Sequence, residues 1–335
     1  MRIEELDYEY PKELIATTPA SPRDSAKLLV FQEGEMIHSS FRHLSEFLKK
    51  GDVLVLNKTK VFPARIFGEC LGRKVEVIFL NKITKNVWEV MIGGKVSDGE
   101  TVALPDGLEI IITKNQNETK AKVPLSKNSL YKYLEKFGHT PLPPYMKRED
   151  NKNDKTEYQT VFAKRVGSAA APTAGLHFTE SLLEKLASSG VQIEYITLHV
   201  GLGTFAPVKT EKVEEHPIHS EYFEIDDLTA KRLNEAKKEG RRIIACGTTV
   251  VRSLESAISS GTIKPQKNET SLFITPGHRF ECVDGIITNF HTPRSSLLAL
   301  VYAFSGQENI CKIYQEAIQN KYRLFSYGDG MLLLK

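Results

Sequence analysis

Residues 169–206 gather the side chains best suited to chemistry, setting His177, His199 and several hydroxyls around Gly175, Gly201 and Gly203. The stretch opens with Ala-Ala-Ala-Pro-Thr-Ala-Gly-Leu-His-Phe-Thr and closes with Leu-His-Val-Gly-Leu-Gly-Thr-Phe-Ala. Small residues let backbone N–H groups approach a ligand closely, and imidazoles move protons near neutral pH. Thr173 and Thr204 add hydroxyls to the two loops. The arrangement is that of a site, although the same residues also fit two tight turns with packed histidines.

Two further stretches carry similar residue types. Gly247-Thr248-Thr249 lies between a strand pattern and a helix pattern, so free N–H groups and the helix dipole meet two hydroxyls, with Arg252 one turn along. Such a place suits a carboxylate, a phosphate or a sugar hydroxyl, and equally a plain N-cap. Asn289 and His291 fall just past another strand pattern and offer donors, acceptors and a transferable proton. His216, His219 and Glu221 follow the glycine loop, but no H-E-x-x-H or comparable pair exists, so no metal is expected. Gly201 to Ala206 formally reads G-x-G-x-x-A. Residues 208–218 show no helical apolar stripe and contain Pro217, which argues against a dinucleotide fingerprint. No G-x-S-x-G elbow is present, which argues against an α/β-hydrolase.

Alternating strand and helix patterns supply the frame. Residues 53–56 (Val-Leu-Val-Leu) form a continuous apolar run, the mark of a strand buried on both faces, and end in the polar loop Asn57-Lys58-Thr59-Lys60. Phe41, Leu44, Phe47 and Leu48 predict a helix stopping at Gly51. Thr179 predicts an N-cap, residues 182–187 a helix ended by Gly190, and residues 191–198 a buried strand. Residues 227–239, 250–258, 295–304 and 309–318 read as helices; 242–246, 272–274 and 283–287 read as strands. Between residues 62 and 125 the texture changes to short alternating runs separated by Gly, Asn and Asp, as in a small antiparallel barrel or sandwich. A proline-rich segment and a charged linker end that region near residue 155. The expected architecture is a discontinuous mixed-sheet α/β domain, residues 1–61 and 156–335, with residues 62–155 inserted.

A chain of 335 residues can bury a substantial core in two domains. Its net charge of +3 demands no polyanionic partner yet does not exclude a local basic patch. Four scattered cysteines form no CxxC pair, which excludes a zinc ribbon or disulfide framework as the organising device. No apolar leader or membrane-length run is found, so a cytoplasmic protein without membrane contact is expected.

Several ordered strings together resemble the S-adenosylmethionine:tRNA ribosyltransferase-isomerase family of queuosine biosynthesis. They are Tyr10 to Ala16 (YPKELIA), Gly51 to Asn57 with Pro63-Ala64-Arg65, Ala171 to Thr179, Leu198 to Phe205, His219-Ser220-Glu221, Gly247 to Arg252 and Thr288 to Pro293. Two departures occur: Lys58 stands where the family commonly has an acid, and Thr292 where it has an aliphatic residue. The resemblance implies an α/β domain with an inserted β-barrel. It also implies transfer and isomerisation of the ribosyl part of S-adenosylmethionine onto the aminomethyl-deazaguanine wobble base of tRNA, giving epoxyqueuosine, adenine and methionine. The donor is consumed and no metal or other cofactor is retained.

That reaction needs a base beside the sulfonium and an acid for adenine, for which His177, His199 and His291 are the candidates. Thr173, Gly175, Gly201, Gly203, Thr204, Glu221, Thr248, Thr249 and Asn289 would receive the donor, with Arg252 facing a carboxylate or phosphate. Lys58, Lys60, Arg65, Lys147 and Arg148, with Lys164 and Arg165, are the candidates for tRNA phosphates, and Phe178, Phe205 or Phe290 for stacking the wobble base. A monomer is expected. Two other classes compete. A non-catalytic RNA binder would need basic and aromatic residues in place of this density of His, Thr and Gly. A methyltransferase would show a glycine-rich loop after its first strand, which residues 26–50 lack.

Overall fold

The computed structural model describes residues 1–115, 118–201, 208 and 210–335. The chain divides into two compact units, one of Met1–Thr59, Thr160–Arg165 and Pro172–Lys335, the other of Lys60–Gln159 and Val166–Ala171.

The first unit is built on a mixed sheet whose described strands are β1 (Lys27–Gln32), β2 (Glu35–Ser40), β3 (Val53–Asn57), β4 (Gln192–Leu198), β5 (Glu221–Ile225), β6 (Ile243–Cys246), β7 (Gln266–Thr270), β8 (Gly285–Asn289) and β9 (Gly330–Leu334). Their spatial order is β7-β5-β4-β3-β6-β8-β9-β1-β2. Strands β4, β3, β6 and β8 run parallel, so their carboxyl ends share one edge. The other described pairings are antiparallel except β1 with β9. Every residue of β3, β6, β8 and β9 is buried, which explains their largely apolar sequences. On one face Leu54, Leu56, Ile244, Ile287 and Leu332 pack with Phe41, Phe178, Leu182 and Leu186.

Local signals set the helix ends. The Thr179 hydroxyl accepts the Leu182 N–H at 3.1 Å, and Gly190 ends that turn at φ +88°, a conformation natural to glycine. Asp226 caps the helix Asp227–Lys238 and Ser295 caps the helix Ser296–Ser305.

In the second unit, strands Arg65–Cys70, Arg73–Lys82, Val87–Gly93, Thr101–Ala103, Glu109–Lys114 and Thr119–Lys122 close into an antiparallel barrel. Alternate residues such as Val75, Val77, Phe79, Trp88 and Val90 fill it. The cysteines are free thiols. Among the described residues no helix is long and apolar enough to cross a membrane.

Two local expectations are corrected. Residues 41–46 form a 3-10 helix, because Phe41 and Leu44, three apart, are the residues buried on it. Residues 272–274 are not a strand: the edge strand is the polar Gln266–Thr270, and the chain then turns so that the Leu272 carbonyl meets Arg252. Strand β9, for which the sequence predicted no element, sits inside the sheet between β8 and β1.

Candidate active site

The carboxyl edge of β4, β3, β6 and β8 collects most of the singled-out residues of this unit. His199 follows β4, Asn57 ends β3, Gly247-Thr248-Thr249 follow β6, and Asn289 ends β8 with His291 two residues on. In open α/β sheets the crevice outside such strand ends is the usual ligand position.

Asn289 is the hub of one group. Its Oδ1 accepts the Thr173 hydroxyl at 2.8 Å, and its Nδ2 lies 3.2 Å from His177 Nε2. An amide nitrogen donates, so His177 accepts at Nε2 and carries its proton on Nδ1. The imidazole is stacked on Phe41, ring centres 4.1 Å apart. Burial pulls its pKa down to about 3, with Arg323 and Arg23 opposing a further positive charge. His291 is held by the Thr288 hydroxyl at 2.9 Å from Nε2, while its N–H donates to Tyr314 Oη and its carbonyl accepts from Tyr8 Oη. Burial alone lowers its pKa to about 3. Both rings are therefore neutral at physiological pH, against the expectation that His177 and His291 titrate near neutrality.

That depression has a measurable consequence. Each ring, at about 3 folded against about 6.5 unfolded, binds its proton later in the native state, so stability is full above pH 6.5 and falls as pH drops toward 3. Each histidine adds at most about 1.4 kcal/mol per pH unit to that slope. A His177→Asn variant, followed by urea midpoints between pH 4 and 7, is expected to show a shallower acid slope than the wild type; an identical slope would contradict the neutral buried ring.

His199 is set differently. It is half-buried, its Nδ1 lies 2.8 Å from Thr59 Oγ1, and its ring is stacked on Tyr222 with centres 5.4 Å apart. The strand ends that carry it are joined by Asn57. The Asn57 Oδ1 accepts from the Leu198 and Thr59 N–H groups, each at 3.1 Å, and Nδ2 donates to the Leu198 carbonyl at 2.9 Å and reaches Thr249 Oγ1 at 3.4 Å. Sequence reasoning assigned no role to Asn57, Thr59, Phe41 or Tyr222. The one available signal was an Asn closing a wholly apolar strand.

Gly247 turns into the helix Thr248–Ala257 at φ +92° and, having no side chain, makes no side-chain cap there. Thr248 and Thr249 are buried there. Glu221, at the start of β5, accepts the Gly201 N–H at 2.9 Å and pairs with Arg252. Arg252 also donates to the Leu272 and Thr270 carbonyls, so its guanidinium is engaged within the protein. A cleft opens beside the pair, lined in part by His216, His219, Phe273 and Leu300.

Gly175 is a packing glycine: a Cβ there would stand 2.9 Å from Thr160 Cγ2 and 3.0 Å from Phe162 Cζ. Gly203, Thr204 and Phe205 lie outside the described residues. Phe178 and Phe290 are fully buried among other aromatic rings, which seats them in the core and not where a base could stack. Lys58 lies 3.7 Å from Asp226. In the barrel unit, Arg65 pairs with Glu76, Arg148 grips buried Asp154 through two 2.7 Å contacts, and Lys60 and Lys147 are exposed. Among the described residues no three His, Cys, Asp or Glu side chains are grouped to hold a metal ion.

Residues 3–333 match the family model described as queuosine biosynthesis protein. The chain is 47% identical to the S-adenosylmethionine:tRNA ribosyltransferase-isomerase of Aquifex aeolicus and 46% identical to that of Halothermothrix orenii, in both cases over all of both chains. It is also similar to the crystal structure of S-adenosylmethionine tRNA ribosyltransferase from Thermotoga maritima, at 32% identity and a TM-score of 0.56, covering 98% of this chain and 100% of that one. On these matches, spanning its full length, the chain belongs to the queuosine biosynthesis protein family.

Proposed function

We propose that this chain transfers the ribosyl part of S-adenosylmethionine to the aminomethyl-deazaguanine wobble base of tRNA and isomerises it, giving epoxyqueuosine with release of adenine and methionine. The observation that carries the reading is near-half identity, end to end, with relatives named for that activity. The convergence of His199, Thr248, Thr249 and Asn289 on one sheet edge supports it.

In this reading His199 removes the proton beside the sulfonium. It is the least buried of the three candidate histidines, whereas His177 and His291 are neutral rings locked into hydrogen bonds. His177, Thr173 and Asn289 form a fixed polar wall, and His291 braces the loop that carries it through Tyr8 and Tyr314. The start of the helix Thr248–Ala257 offers N–H donors to the methionine carboxylate. Glu221, paired with Arg252, holds the Gly201 N–H; Gly203 and Thr204, proposed as donor-binding residues, lie outside the described residues. Lys60 and Lys147 are the cations most open to tRNA phosphate; Lys58, Arg65 and Arg148 serve it only by exchanging their present carboxylates. The protein acts as a cytoplasmic monomer with no retained cofactor, the donor itself being used up.

The test is incubation with S-adenosylmethionine and precursor tRNA. Free adenine and methionine in equal amounts, dependent on the tRNA, are expected. S-adenosylhomocysteine would instead mark a methyltransferase, and tRNA binding without turnover a non-catalytic binder.

A further inference from the structure

The environment of His199 fixes more than its position. Thr59 is fully buried, and its hydroxyl lies between two partners, His199 Nδ1 at 2.8 Å and the Arg165 carbonyl at 3.5 Å. A carbonyl can only accept and a hydroxyl has one proton to give. With that proton directed at Arg165, the hydroxyl oxygen receives a proton from Nδ1. The bracket is held firmly at both ends: the Thr59 N–H donates to Asn57 Oδ1, and the Lys164 and Arg165 N–H groups donate to the Lys58 carbonyl at 2.9 and 3.0 Å. Tyr222, stacked at 23° to the imidazole, sets the ring's face while Thr59 sets its edge.

We infer that Thr59 is a positioning residue for His199: relayed to the Arg165 carbonyl, its hydroxyl keeps the imidazole proton on Nδ1 and so makes Nε2 the nitrogen that accepts a proton. The nitrogen that reacts is decided by the hydrogen bond its partner makes. The inference rests on the reading of His199 as the base. A hydroxyl donating to Nδ1 would put the proton on Nε2 and disable the ring for that task.

The experiment reads the tautomer without turnover. In protein labelled with ¹⁵N-histidine, the long-range ¹H–¹⁵N spectrum of the full chain assigns His199 by the signal missing from His199→Gln. The expected wild-type pattern is that of the Nδ1–H form. Thr59→Val, which keeps the shape and removes the hydroxyl, is expected to shift His199 toward Nε2–H and to lower kcat for adenine release about 10- to 100-fold while KM for S-adenosylmethionine stays within about threefold. Thr59→Ser is expected to restore both. A wild-type Nε2–H pattern overturns the inference, as does a Thr59→Val protein with unchanged tautomer and kcat. Should Thr59→Val fail to fold, the wild-type and Thr59→Ser spectra still decide. Failure of the spectrum condemns the relay, whereas full activity in His199→Gln condemns the reading of His199 itself.

Discussion

Replacing His199 with Gln is expected to lower kcat for adenine release by about 10²- to 10⁴-fold, the usual contribution of a positioned proton-transfer group. Gln keeps a polar atom for the Thr59 hydroxyl at 2.8 Å, so the loop should hold its shape while the titratable nitrogen disappears. KM for S-adenosylmethionine should move only a few-fold, because the lost interaction acts on the transition state and not on the bound donor. The paired controls are His177→Gln and His291→Gln. Burial leaves those rings neutral with pKa values of about 3, too low for an effective base at neutral pH. Their removal should cost stability first, through the lost bonds to Asn289 and Thr288, and turnover less. If His177→Gln matched the His199→Gln loss at unchanged stability, the base would be His177.

The difference between these histidines is physical and was invisible in the chain. His177 and His199 occur in similar small-residue loops, and composition treats them alike. Only the fold puts Phe41 flat against His177, because Phe41 belongs to a segment more than a hundred residues away. What could be read was what rests on local rules. The apolar run at 53–56 announced a buried strand, Thr179 and Gly190 announced helix ends, and the short alternating runs after residue 62 announced an antiparallel barrel or sandwich, of which the barrel is found. Long-range pairing could not be read. Strand β9 is wedged between β8 and β1 by register alone, and Arg252 was expected to face a ligand whereas Glu221, Leu272 and Thr270 engage it inside the protein. Glycines likewise look alike in a sequence: Gly247 serves a positive φ, Gly175 a tight contact.

Asn57→Leu is expected to destabilise the first unit by about 4 kcal/mol, a loss near the upper end for single substitutions. Main-chain pairing between β3 and β4 ends with Asn57 opposite Ile196. Beyond it the Asn57 amide behaves as one more peptide group, accepting from the Leu198 N–H and donating to the Leu198 carbonyl, and it takes the Thr59 N–H as well. Leucine keeps the branching but not the polar atoms, and its bulkier methyls, set where hydrogen bonds now run at 2.9–3.1 Å, add crowding to the loss. Three backbone groups lose their partner, each worth about 1–3 kcal/mol when buried and left unmade. The Asn57→Asp variant separates donor from acceptor. It preserves both acceptor bonds but turns an ionised oxygen toward the Leu198 carbonyl at a site only 2% exposed, so at neutral pH it should be no better than Leu. Denaturant unfolding monitored on both variants gives the cost, and adenine release at a temperature where each is still folded gives the functional share. A drop in kcat larger than the folded fraction explains ties this amide to the aim of His199. An Asn57→Leu protein within about 1 kcal/mol of wild type, with full turnover, would mean that the strand ends need no such clamp.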